Sequence, residues 1–164
     1  MQVLKWLLFG ILGLAVLALL AAQMGAFSGH APADLGVREG RLKPPAKSPN
    51  SVSSQADLWA QHPMQAYARI APLALVRNGD GPATMAGIKR IVEAMPGAKI
   101  VESRGDYLYV QFTTRWMKFV DDTEFWIDPG NSVVQVRSAS RLGEKDFGVN
   151  RARIESIRKA LAAS

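Results

Sequence analysis

The hydrophobic positions of this chain fall into three regimes. The first, Trp6–Phe27 (WLLFGILGLAVLALLAAQMGAF), contains no charged residue. Its 22 residues, at a helical rise of about 1.5 Å each, span about 33 Å and match a bilayer core. The second, residues 28–54, holds Pro32, Pro44, Pro45 and Pro49 with scattered Gly and Ser and few apolar positions. That composition predicts a flexible linker holding a domain near the bilayer but not against it. In the third, from residue 55 to 164, apolar positions recur with the periods of helix and strand.

Within the third regime, Ala56–Tyr67 allows a short helical turn around Trp59, and Ile70–Val76 suggests a strand weakened by Pro72. Asn78–Gly81 reads as a turn, with Pro82 suited to a first helical position. Met85, Ile88, Ile91, Val92 and Met95 then mark a helix stripe that Pro96-Gly97 ends. Strands are predicted at 98–103, 107–113, 118–127 and 132–139. In 107–113, Leu108, Val110 and Phe112 alternate with Tyr107, Tyr109 and Gln111. A final helix from about Arg151, capped by Asn150, carries Ile154, Ile157 and Leu161 on one stripe. The pattern predicts an α+β fold, an antiparallel sheet of four to five strands with helices packed on one face, preceded by an N-terminal transmembrane helix.

The segment Asp128-Pro129-Gly130-Asn131 is a turn signature. Closed as a two-residue hairpin, it sets Phe125 opposite Val134 and Thr123 opposite Val136 on an apolar face. The other face then pairs Trp126 with Val133, Glu124 with Gln135 and Asp122 with Arg137. A bulge would shift these partners, but the alternation within each strand would survive. Asp122 and Glu124 stand about 7 Å apart along one strand face.

Two readings of this face follow. As a ligand-binding site it comprises Asp122, Glu124, Arg137, Arg141, Asp146, Asn150 and Arg151, with arginine forks suited to a carboxylate or phosphate. As a structural device, the arginines pair with the carboxylates and hold loop carbonyls. A hydrolase using Asp122 or Glu124 as base on an anionic substrate is the alternative activity.

Composition narrows the chemistry. The chain has no cysteine, which excludes disulfides, thiol catalysis and thiolate metal sites. His30 lies in the linker and His62 stands alone before Pro63, so no Ser-His-Asp set and no metal spacing exists. No catalytic residue, metal ligand or cofactor is therefore assigned. Asp146-Phe147-Gly148 copies a kinase tripeptide without any companion motif. The net charge of +6, reduced to +5 without Lys5, is spread broadly and gives no reason to expect nucleic acid.

For the N-terminus two readings stand, an uncleaved anchor at 6–27 behind a five-residue tail, or a signal peptide cut near Ala26–Ser28. The densest apolar core, Leu7–Ala22, is 16 residues, long for a signal core, and favours the anchor. Arg38, Arg41 and Lys43 argue for a cytoplasmic domain, whereas the short tail argues for export. The expectation is a single pass through the inner membrane with a periplasmic domain, or secretion if the segment is cleaved. The expected partners are the lipid bilayer through residues 6–27 and an anionic small molecule or envelope protein.

Three stretches, SPNSVSS (Ser48–Ser54), VDDTEF (Val120–Phe125) and RSASRLGEKDFGVNRARIESIR (Arg137–Arg158), resemble the family called domain of unknown function 1499. The likeness covers about Ser48 to Leu161. Members of that family are bacterial envelope proteins and plastid relatives, so the resemblance implies a discrete envelope domain and no particular activity. Relatives often carry Cys where this chain has Ser51, and no thiol role transfers.

Overall fold

The computed structural model describes residues 2–76 and 79–164. A long helix α1 (Gln2–Gln23) comes first, then β1 (Ser51–Ser53), a 3-10 turn at Ala56–Leu58, α2 (Gln65–Ala68) and β2 (Leu73–Ala74). After these follow α3 (Gly81–Glu93), β3 (Ala98–Ser103), β4 (Tyr107–Thr113), β5 (Val120–Asp128), β6 (Val133–Ser140) and α4 (Val149–Ala162). The strands form one antiparallel sheet in the order β1-β6-β5-β4-β3, with β2 also pairing along β6. The α+β reading holds. The two short strands bordering β6 extend the expected sheet, and β1, in which Val52 is the one apolar residue, comes from the proline-rich stretch.

One face of the sheet carries Leu108, Val110, Phe112, Phe125, Val134 and Val136 and packs against both long domain helices. Helix α3 contributes Met85, Ile88 and Val92, and α4 contributes Ile154, Ile157 and Leu161, so both sequence stripes face the core. The Asp80 carboxylate accepts from Ala83 N and starts α3. The predicted turn there includes Asn78, which lies outside the described residues. Beyond the helix, Gly97 has φ +75°, and a side chain there would press on the Thr113 carbonyl.

The second face is covered as well. The segment predicted to be a flexible linker is a strap laid across β4, β5 and β6. Leu42 is 1% exposed and packs with Tyr107, Tyr109 and Trp126, joined by Leu35 and Val37. Its backbone is tied down: Gly36 N donates to Glu124 Oε1 (2.7 Å), Leu42 N to Gln55 Oε1 (2.8 Å) and Ala46 N to Ser51 Oγ (2.8 Å). Packing therefore extends ahead of residue 55, through Leu35, Val37 and Leu42. A strap anchored by a few apolar side chains and its own amides has no period to betray it, and so resembles a tether in sequence.

The domain also meets the end of α1, so the strap does not act as a spacer. Gln23 Nε2 donates to the Trp116 carbonyl (3.0 Å), and the Phe27 and Phe119 rings lie 5.7 Å apart. Helix α1 is long and apolar enough to cross a membrane, and its side chains, Leu7 and Leu14 among them, are exposed along its length.

If the strap closes the second face, Leu42→Ala should cost about 2–5 kcal/mol by opening a cavity over the tyrosines. Urea denaturation of the purified protein measures this; an unchanged midpoint would show that the strap contributes no packing.

Candidate functional site: the charged face of the β5–β6 hairpin

The hairpin turn spans four residues, because Asp128 pairs with Val133. The register therefore moves two residues from the expected one. Glu124 stands opposite Arg137 and Asp122 opposite Ala139, while Phe125 faces Val136 and Thr123 faces Ser138. Asp128 explains the longer turn, since its side chain accepts from Gly130 N, Asn131 N, Asn131 Nδ2 and Gln135 Nε2. The assignment of side chains to faces survives, and the partners change.

The three acidic residues Asp121, Asp122 and Glu124 each meet a different arginine. Asp122 is held bidentately by Arg141, Nε to Oδ2 and Nη2 to Oδ1, both at 2.8 Å, and accepts the Tyr109 hydroxyl at 2.5 Å. The carboxylate beside it, Asp121, points to the helix face and pairs with Arg153 at 2.6 Å. Glu124, 0% exposed, accepts from Gly36 N and from the Tyr107 hydroxyl at 2.8 Å, both on Oε1. Its Oε2 lies 3.7 Å from Arg137 Nη1, and neither atom makes a hydrogen bond.

That long contact is electrostatically weak for its burial. Desolvation pushes the Glu124 carboxyl above its ordinary value, against the Gly36 amide, Arg137 and the Tyr107 hydroxyl. The same burial pulls Arg137 below its ordinary value despite Glu124. Arg141 moves the other way, because its hydrogen bonds to Asp122 outweigh desolvation. One ion pair is tight and saturated, the other loose and strained.

The remaining nominated residues do not join this face. Asn150 lies on the helix side, accepting from Ser138 Oγ and Arg153 Nη1 and donating to Asn50 O, Ser140 Oγ and Asp146 Oδ2. It does not cap the last helix. The cap position is Gly148, and Asp146, two residues before it, accepts from Gly148 N and from the helix amide of Asn150 and also from the Tyr67 hydroxyl. Arg151 ties down the carbonyls of Arg69 and Tyr67. The sheet therefore divides the seven nominated residues, leaving Asp122, Glu124, Arg137 and Arg141 together.

A cleft of about 440 Å³ opens over this charged face. It is lined by His30, Pro32, Lys43, Pro44, Pro45, Ala46, Lys47 and His62 together with Asp122, Arg137, Ala139, Ser140 and Arg141. Glu124 does not reach it. Four cationic side chains thus surround one carboxylate that Arg141 already neutralises. Lys43 pairs with Asp34, while Lys47 makes no ion pair among the described residues. Arg137 spends a single hydrogen bond, from Nε to the Pro44 carbonyl at 3.2 Å. The arrangement suits a small anion better than proton transfer, because Asp122 is saturated and Glu124 is sealed under the strap. Sequence reasoning missed His30, Lys43 and Lys47 because it read the strap as a linker. Among the described residues no group of three or more His, Cys, Asp or Glu is placed to hold a metal ion.

Two stability effects follow. Arg137→Ala strands the buried Glu124 charge and should cost about 3–5 kcal/mol, whereas the double change Glu124→Gln with Arg137→Met should cost less than the two single changes together. Equal additivity in denaturant melts would show that the two residues do not interact. Asp146 supplies the second effect. Burial would raise its carboxyl, but the Asn150 and Gly148 donors and the Tyr67 hydroxyl together hold it below the usual 3.8. Its contribution is complete above 3.8 and is lost as pH falls toward the depressed folded value. Asp146→Asn should flatten the acid limb of the stability profile, and an unaltered limb would assign acid loss elsewhere.

Residues 41–161 match the family model described as "Protein of unknown function (DUF1499)". No curated protein and no solved structure matches the chain. The matched span takes in the end of the strap, the whole sheet and both domain helices, and the chain belongs to this family.

Proposed function

We propose that this protein is a membrane-tethered, non-enzymatic domain that captures a small anion, a carboxylate or phosphate group, in the cleft beneath its strap. The observation that carries this reading is Arg137. Arg137 lines the cleft, its side chain is 4% exposed, and among the described residues it is left with one hydrogen bond and a loose ion pair. A planar fork short of partners in a cationic cleft is poised for a bidentate oxyanion. Lys47 adds an unpaired cation at the rim, and His30 and His62 add donors or acceptors.

Helix α1 serves in this reading as an uncleaved anchor through the inner membrane, with the domain on the periplasmic side. Support comes from its length, its exposed apolar surface and the contacts of its end with the domain. An envelope protein bearing the anionic group is the alternative occupant.

Thermal melting of the detergent-solubilised full chain, titrated with inorganic phosphate and with citrate, tests the cleft. At least one of the two should raise the melting temperature, and Lys47→Gln, which breaks no ion pair, should weaken that rise several-fold at equal ligand. No rise with either anion would overturn the reading. A reporter fused after Ser164 tests orientation: activity confined to the cytoplasm would place the domain on the other side of the membrane.

A further inference from the structure

We propose that the loop between β4 and β5, Thr114–Phe119, forms a headgroup site for an anionic phospholipid of the bilayer that α1 enters. The inference rests on the reading of α1 as an uncleaved anchor. A cleft of about 440 Å³ lies between the helix and this loop, lined on one side by Leu19, Leu20 and Gln23 and on the other by Arg115, Trp116 and Lys118. Its polarity is graded. Leu20 lies three residues, about 4.5 Å, before Gln23 along the helix axis, so the apolar wall sits deeper in the membrane than the basic one. That order, cations above and hydrocarbon below, is the order of a phospholipid: phosphate, then acyl chain.

Several independent observations fix the loop at that depth. The Gln23 side chain donates to the Trp116 carbonyl, at the level where α1 ends and Met24 begins a turn. The Phe27 ring meets that of Phe119, and Trp116 is 64% exposed, most of its indole uncovered by the domain. Tryptophan so placed at the end of a spanning helix favours the interfacial layer. Arg115 lies over the Trp116 ring, its guanidinium carbon 5.0 Å from the centroid, which steadies the cation beside the cleft. Neither Arg115 nor Lys118 makes an ion pair among the described residues. Both also line a second, larger cleft of about 750 Å³ on the domain side of the loop. Two cations without an ion pair among the described residues, an exposed indole and an apolar helix wall converge on one place, and an anionic headgroup offsets more of their charge than a zwitterionic one does.

The test uses the full chain, released from membranes into detergent and examined by native mass spectrometry with added phosphatidylglycerol or phosphatidylcholine. Phosphatidylglycerol should be retained in preference, and the double change Arg115→Gln with Lys118→Gln should weaken that retention on the order of 30-fold, from about one kcal/mol for each basic residue. Equal retention of the two lipids, or retention unchanged in the double variant, would overturn the proposal. Equal displacement of phosphatidylglycerol by millimolar inorganic phosphate would also overturn it, since the apolar wall would then contribute nothing. The intact mass separates the two readings. A chain lacking residues before about Ser28 would overturn the anchor and this site together, whereas a full-length mass with no lipid preference would overturn this site alone.

Discussion

The second face of the sheet is organised by charge that has been taken out of water. Asp122, Glu124 and Arg137 are all nearly inaccessible, and charges so buried are tolerated only where hydrogen bonds and counter-ions replace the lost water. The strap answers that constraint. It brings an amide to Glu124 through Gly36, a carbonyl to Arg137 through Pro44, and Leu42 over the tyrosines whose hydroxyls bind the same carboxylates. Its irregular backbone follows from this work, because each group must arrive at a set position and no regular element delivers all three.

The same alternation explains the run Arg-Ser-Ala-Ser-Arg at residues 137–141. Odd positions face the strap, where Arg137 and Arg141 meet Glu124 and Asp122. Even positions face the helices, where Ser138 and Ser140 both bond the buried Asn150, and Ser138 shares a hydrogen bond with Thr123. Asn150 then continues through Arg153 to Asp121. One strand therefore carries two polar systems on opposite sides of a sheet that is otherwise apolar toward α3 and α4. Both networks together account for the polar residues of this run.

The parts of this fold that obey a period were legible in the sequence. The stripes of α3 and α4, the alternation of β4 and the faces of β5 and β6 all follow from side-chain spacing. What escaped was set by side chains acting on backbone at a distance. Asp128 lengthened the hairpin turn and moved the register, and Gly148 took the cap position while Asp146 binds the amide of Asn150 inside the helix. The strap, a chain without period, could be recognised only from the partners it reaches. Of the seven residues nominated for a site, four converge because strand parity is local, and the others part because a loop returned them to the far side of the sheet.

The two arginines of the charged face differ in a way that bears on function. Arg141 lies in a bidentate pair that uses its fork fully, and such a group has little left to offer a ligand. Arg137 is buried more deeply yet bound less, with its counter-ion 3.7 Å away and both facing atoms unpartnered. A pair selected only for stability would close that gap, since desolvation is already incurred and a shorter contact would offset more of it. In the proposed anion site, an oxyanion would give Arg137 an acceptor that Glu124 does not, favouring the charged guanidinium but not the Glu124 carboxylate. On the proposed reading, the looseness of this one contact is what would make the face receptive to an anion.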